Sequence, residues 1–241
     1  MKTQLNRSLL FGLIALIGLM GISCKKESSF PIELKYEYFP TDSAHWVIYD
    51  VDSIFFDDFF IPIRIDSSHY QIMEVIESEF LDNQGRPTQR IERYRRLDDT
   101  QPWHIQQVWF SNRTSTTAEK VEDNLRFIKM VFPMKEGATW NGNVYININD
   151  ELEYLEDWEY EITNLDEPGS HGPFSFDSTV TINHIDDENL IEKKLSREVY
   201  AKHVGLVSKE LLFLEKQNVM AGWDEPESGY IVRMTVSDYK Q

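Results

Sequence analysis

The chain is poor in cysteine: Cys24 is the only one in 241 residues. With no second thiol the body cannot hold an internal disulfide, so its stability must come from burial. Histidine is sparse and scattered. His45, His69, His104, His171, His184 and His203 are all more than ten residues apart, which leaves no local metal-binding pair. The 11 glycines do not fall in a phosphate-cradling spacing, and no serine sits in a G-x-S-x-G elbow. The one long apolar run, Leu9 to Ile22, has 14 residues, short of the about 20 that a helix needs to cross a bilayer. Positive charge is in deficit as well: 24 Lys and Arg against 41 Asp and Glu give a formal charge of −17. Nucleic acid and anionic lipid head groups would both be repelled. These absences predict no catalytic residue, no metal and no cofactor.

What is present begins at the amino terminus. Lys2 and Arg7 precede the apolar run, Gly21, Ile22 and Ser23 precede Cys24, and Lys25-Lys26-Glu27-Ser28-Ser29 turns the chain polar. A charged start, a short apolar stretch and a small residue at the cut make a secretory signal. With cysteine next to the cut, the segment resembles a bacterial lipoprotein signal, in which that thiol receives a lipid before cleavage. The resemblance implies that residues 1–23 are removed and that Cys24 becomes a lipidated amino terminus. Residues 24–32 then read as a short tether, of which Lys25 to Pro31 extends to at most about 25 Å. Removal of the signal takes Lys2 and Arg7 with it and moves the formal charge from −17 to −19.

Residues 33–241 read as a single antiparallel β domain. Aromatic content of 13% exceeds what a disordered chain carries, and the apolar pattern has period two. Trp46 and Ile48 alternate with Val47, Tyr49 and Val51; Tyr70, Ile72, Ile76 and Phe80 alternate with Gln71, Glu77 and Glu79. After the turn cluster Asp82 to Pro87 the chain returns through Gln89 to Arg96. Glu74, Glu77 and Glu79 outbound face Arg90, Arg93, Arg95 and Arg96 on the return, the charge pattern of a hairpin. Further alternation runs through Trp103 to Phe110, Leu125 to Val131, Trp158 to Ile162, Phe176 to Ile182, Val204 to Glu215 and Tyr230 to Val236. Asn112 to Lys120 reads as a Ser/Thr-rich loop, and Leu190 to Tyr200 as either a strand or a helical turn. About ten strands without a long helix predict an all-β barrel, curled sheet or sandwich.

Three segments resemble parts of lipoproteins from Bacteroidota that have no established activity. They are Trp46 to Ile54, Phe132-Pro133 through Trp140-Asn141-Gly142-Asn143, and Tyr200 to Val207. The resemblance implies an all-β body, lipid-anchored at the outer membrane of a diderm bacterium. It also draws attention to the Asp-Ser/Thr-small triplets at which such bacteria glycosylate exported proteins: Asp42-Ser43-Ala44, Asp52-Ser53-Ile54 and Asp177-Ser178-Thr179. Ser43 and Ser178 are the candidate acceptors, Ser53 being within a strand.

Carboxylates supply the remaining candidates. Asp57-Asp58, flanked by Phe55-Phe56 and Phe59-Phe60, is read as a loop with acids in water and rings available to a ligand or partner. Adjacent phenylalanines in a strand would have to point to opposite faces. Asp186-Asp187-Glu188-Asn189 lacks the spaced ligands and glycine of a calcium loop and reads as a polar turn. The expected function is therefore a non-catalytic envelope protein, held at the membrane by lipid on Cys24. It would bind a small apolar ligand or an envelope protein, with Phe55, Phe56, Phe59 and Phe60 as candidate contacts. The alternatives are a structural component of an outer-membrane complex, or a hydrolase using paired carboxylates.

Overall fold

The computed structural model describes residues 33–240. These form twelve strands: β1 (Trp46–Asp57), β2 (Arg64–Leu81), β3 (Pro87–Arg96), β4 (His104–Arg113), β5 (Thr117–Glu122), β6 (Leu125–Val131), β7 (Thr139–Trp140), β8 (Tyr160–His171), β9 (Phe174–Glu188), β10 (Glu192–Ala201), β11 (Gly205–Glu215) and β12 (Ser228–Lys240). All twelve belong to one antiparallel sheet in the order β6-β5-β4-β3-β2-β1-β12-β11-β10-β9-β8-β7. The two terminal strands meet. Ile128 N–H donates to Gly142 O at 2.8 Å, and Trp140 Nε1–H donates to Ile128 O at 2.8 Å. The sheet therefore curls into a nearly closed barrel, which leaves little unpaired edge.

The alternation read from the sequence positions the core. Val47, Tyr49 and Val51 of β1 are buried and pack with Ile72, Met234 and Val236. A larger apolar cluster joins Tyr38 and Met130 to Tyr160, Ile162, Val180 and Ile182. The hairpin β2–β3 forms as its charges predict: Arg93 pairs with Glu74 at 3.0 Å and Arg90 with Glu77 at 3.4 Å. Asp82 Oδ1 accepts from the backbone N–H of Gln84 and Arg86 and closes the turn.

Two stretches fold otherwise than expected. The Asn112 to Lys120 loop shrinks to a turn, because the Thr114 hydroxyl accepts the backbone N–H of Thr116 and Thr117 and pulls β4 directly into β5. The ambiguous Leu190 to Tyr200 stretch is the strand β10, its fourfold apolar spacing overridden by pairing to β9 and β11 on both sides.

The first described segment lies across one end of the barrel. Residues Tyr36–Tyr38 make a 3-10 turn whose Tyr38 side chain is fully buried. Its hydroxyl donates to Asp166 Oδ1 at 2.8 Å and lies 2.8 Å from Ser178 Oγ. Arg113 Nη1 holds the carbonyls of Tyr36 and Phe39, and His203 N–H donates to Glu37 O at 2.7 Å. The opposite end carries loops 58–63, 97–103, 189–191 and 216–227, each with a large exposed apolar side chain: Phe59, Leu97, Leu190 and Met220.

Candidate functional site

A layer of charge crosses the barrel interior. Glu198 on β10 lies opposite Lys209 on β11, with Nζ 3.0 Å from its carboxylate, and Lys129 of β6 reaches the same carboxylate at 3.0 Å. Lys129 also approaches Glu122 at 3.3 Å. Lys120 bridges from Glu122 at 3.6 Å to Glu74 at 2.9 Å, where Arg93 joins. The side chains of Lys129 and Glu198 are only 3% and 2% exposed. Such charges are costly to bury and persist only where each is paired. Burial opposes the ionisation of Glu122, but Lys129, Lys209 and Lys120 outweigh it and pull its pKa down to about 2. Burial opposes that of Glu198 too, and the same two lysines, Lys129 and Lys209, with His184, hold it well below the usual carboxylate range. Lys129, disfavoured as a cation by burial, is held above its ordinary pKa by Glu122 and Glu198.

The charged layer divides the interior in two. Towards the tether end is a cavity of about 80 Å³ among Val47, Tyr49, Ile76 and Ile91. Towards the other end is a recess of about 240 Å³. Its walls are Phe127, Tyr154, Trp158, Tyr160, Leu211 and Tyr230, and its floor is Glu122, Lys129, His184, Ser196 and Lys209. The aromatic walls support one another. Tyr154 meets Phe213 edge-on at 5.7 Å, and Tyr230 lies 5.4 Å from the same ring. His184 stacks on Tyr160 at 4.1 Å and faces Trp158 at 6.0 Å. Burial lowers the pKa of His184 below its ordinary value, against the pull of Glu198, so the ring is neutral near pH 7.

Ser196, His184 and Glu198 have the composition of a nucleophilic triad, but the ring is poorly served by its acid. Ser196 Oγ lies 3.0 Å from Nδ1. Nε2 is 3.5 Å from Glu198 Oε2 and makes no hydrogen bond. Glu198 is instead engaged by two lysines and by the Tyr200 hydroxyl at 2.6 Å. Ser196 sits within the paired run of β10, not on the sharp turn that exposes a serine nucleophile.

Of the residues named from the sequence, Glu74 and Arg93 belong to this layer; the candidate site residues lie outside it. Cys24 lies outside the described residues. Phe55 and Phe56 belong to β1 rather than to a loop, because the strand stays paired to β2 and β12 there and the Phe56 face finds apolar cover. Phe56 is 9% exposed and packs with Leu212 and Leu214 beneath Trp223; it is core, and the expectation of an available ring fails for it. Phe55 lies opposite Tyr230, a wall of the recess, and is 47% exposed. Phe59, 87% exposed, and Phe60 sit in the following turn, with their rings edge-to-face at 5.5 Å. Arg64 stacks over Phe60 at 4.3 Å and donates to Asp57 at 3.1 Å, so Asp57 is paired instead of free in water. Ser43 is exposed, whereas Ser178 is half-buried and its hydroxyl is engaged by Tyr38. Among the described residues no group of three His, Cys, Asp or Glu side chains is placed to hold a metal ion. Sequence reasoning missed Glu74, Lys120, Glu122, Lys129, Glu198 and Lys209 as a unit. The available signal was charged residues recurring at inward positions, as in Lys120-x-Glu122 and Ser196-x-Glu198.

The fold and interior thus define a nearly closed all-β barrel with a charged middle layer. No family model matches the chain, and no curated protein matches it. Two solved structures are similar in outline. One, from Bacteroides fragilis, is described as an exported protein with a YmcC-like fold; it has 10% identity and a TM-score of 0.41, over 84% of this chain and 98% of that one. The other, from Parabacteroides distasonis, is described as a lipoprotein; it has 8% identity and a TM-score of 0.33, again over 84% and 98%.

Proposed function

We propose that this is a lipid-anchored, non-catalytic protein of the outer membrane that binds a ligand or an envelope partner at the open end of its barrel. One observation carries the reading: an aromatic recess with a charged floor opens at one end of the barrel. The other end, where the chain enters at residue 34, is braced by Arg113 on the carbonyls of Tyr36 and Phe39. The recess end also carries exposed rings at Phe55 and Phe59. Concave sites with mostly apolar walls and a few placed polar groups are the usual form of a ligand pocket. The recess is too small to enclose a whole lipid, so a compact ligand or the inserted side chains of a partner fit best.

Two measurements test this. Mass spectrometry of the mature protein should find a diacylglycerol on an amino-terminal Cys24, and Cys24→Ala should release the body from membranes. Calorimetric titration of the full chain in phosphatidylcholine nanodiscs with 4-phenylbutanol should show one site, lost when Leu211→Trp fills the recess. Hydrolysis of a 4-nitrophenyl ester that disappears in Ser196→Ala, without probe binding, would replace this reading with an enzymatic one.

A further inference from the structure

We infer that the recess is built for an anionic amphiphile: a carboxylate or similar single-charge head on an aromatic or alkyl body, head down against Lys209 and Lys129. The inference deepens the proposed binding function and rests on it.

The charge layer does not sum to zero. Arg93, Lys120, Lys129 and Lys209 face Glu74, Glu122 and Glu198, four cations against three anions, inside a chain whose overall charge is −17. A surplus cation in a low-dielectric interior is unfavourable, and an anion from outside relieves it. The recess is lined by Lys129 and Lys209 against Glu122 and Asp123, and Glu122 is already held by Lys129 at 3.3 Å and Lys120 at 3.6 Å. Glu198 is 2% exposed and already saturated by two lysines and Tyr200, whereas Lys209 is 20% exposed at the floor. Each ammonium carries three donors, and the recorded contacts of Lys209 are Glu198 at 3.0 Å and Glu122 at 3.9 Å. The one acid at the rim, Asp123, is exposed and turned towards Gln107 Nε2 at 2.6 Å and Trp109 Nε1 at 3.4 Å.

Size and walls set the rest of the ligand. A volume of about 240 Å³ is the room of about eight water molecules at ~30 Å³ each, enough for a phenylalkyl body and far too little for a diacyl lipid. Phe127, Tyr154, Trp158 and Tyr230 supply flat apolar walls, against which an aromatic or short alkyl chain stacks.

Three matched probes decide it: 4-phenylbutyrate, 4-phenylbutanol and 4-phenylbutylamine share a body and differ in the head. Each is titrated calorimetrically at pH 7.5 into the full chain held in phosphatidylcholine nanodiscs, with empty discs as the blank. The carboxylate should bind at least tenfold more tightly than the alcohol, and the amine most weakly. Lys209→Met should bring the carboxylate down to the level of the alcohol, and Lys209→Arg should retain the preference. Should Lys209→Met fail to fold, the order of the three probes on the native chain still decides. Equal binding of all three, or preference for the amine, overturns the anionic assignment while leaving the recess as a binding site. No binding by any probe overturns the site itself.

Discussion

Glu198 is the residue on which the interior depends. It accepts from Lys129, Lys209 and Tyr200 at once, so its loss leaves both lysines to Glu122 alone, at 3.3 Å and 3.9 Å. Breaking one partner of a buried pair costs about 3–5 kcal/mol, and Glu198→Ala should lower stability by that amount in urea unfolding. A loss below 1 kcal/mol would mean that water reaches the layer and solvates the lysines. The phenylalanines divide at the same scale. Phe56→Ser opens the cluster with Leu212 and Leu214 and should cost about 3 kcal/mol, in the range for truncating a buried ring. Phe59→Ser should stay within about 0.5 kcal/mol, as an exposed site does. The adjacent rings announced a conflict in the sequence, and the structure resolves it within a strand, by covering Phe56 and leaving Phe55 half exposed. Glu198 itself was not legible. Ile191, Leu195 and Val199 bracket it with helical spacing, and a lone acid among them reads as solvent-facing until the strand is known.

The elements show where pairing is strong and where it is left open. Residues 64–70 of β2 pair with β1 only, since pairing with β3 begins at Gln71 opposite Arg96. Six of those seven residues are exposed. Their amides should exchange with deuterium well before those of Ile72 to Ile76, which are paired on both sides, and equal protection would show that something covers this edge. The barrel seam is narrow as well. Trp140→Phe keeps an aromatic ring but removes the Nε1–H bond to Ile128 O and part of the packing on Tyr160, and should cost more than the about 1 kcal/mol of one such bond in urea unfolding. The hairpin β2–β3 could be read from its charges and turn residues because both are local. The seam between β6 and β7 could not, because its partners meet only after the whole sheet has curled.

At the scale of the whole molecule, the buried layer couples stability to pH, and the sign follows from which way each group shifts. His184 has its pKa lowered by burial from the ordinary 6.5, so the unfolded chain takes up a proton there before the folded one does. Stability is therefore full above about pH 6.5 and falls as pH drops below it. His171, also lowered by burial, adds to the same limb. Glu198 and Glu122 are held below the ordinary 4.5, Glu122 at about 2. Their contribution is present above about pH 4.5 and is lost as pH falls towards 2. Acidification also relieves the self-repulsion of a chain at −17, a surface effect of opposite sign. His184→Gln leaves that surface effect untouched, so comparison of the two proteins isolates the buried ring. Melting temperatures at pH 7.5, 6.5, 5.5 and 4.5 should fall steadily in the native chain, and the upper part of that fall should flatten in His184→Gln. A variant curve parallel to the native one would show that the imidazole does not sit neutral against the charged layer.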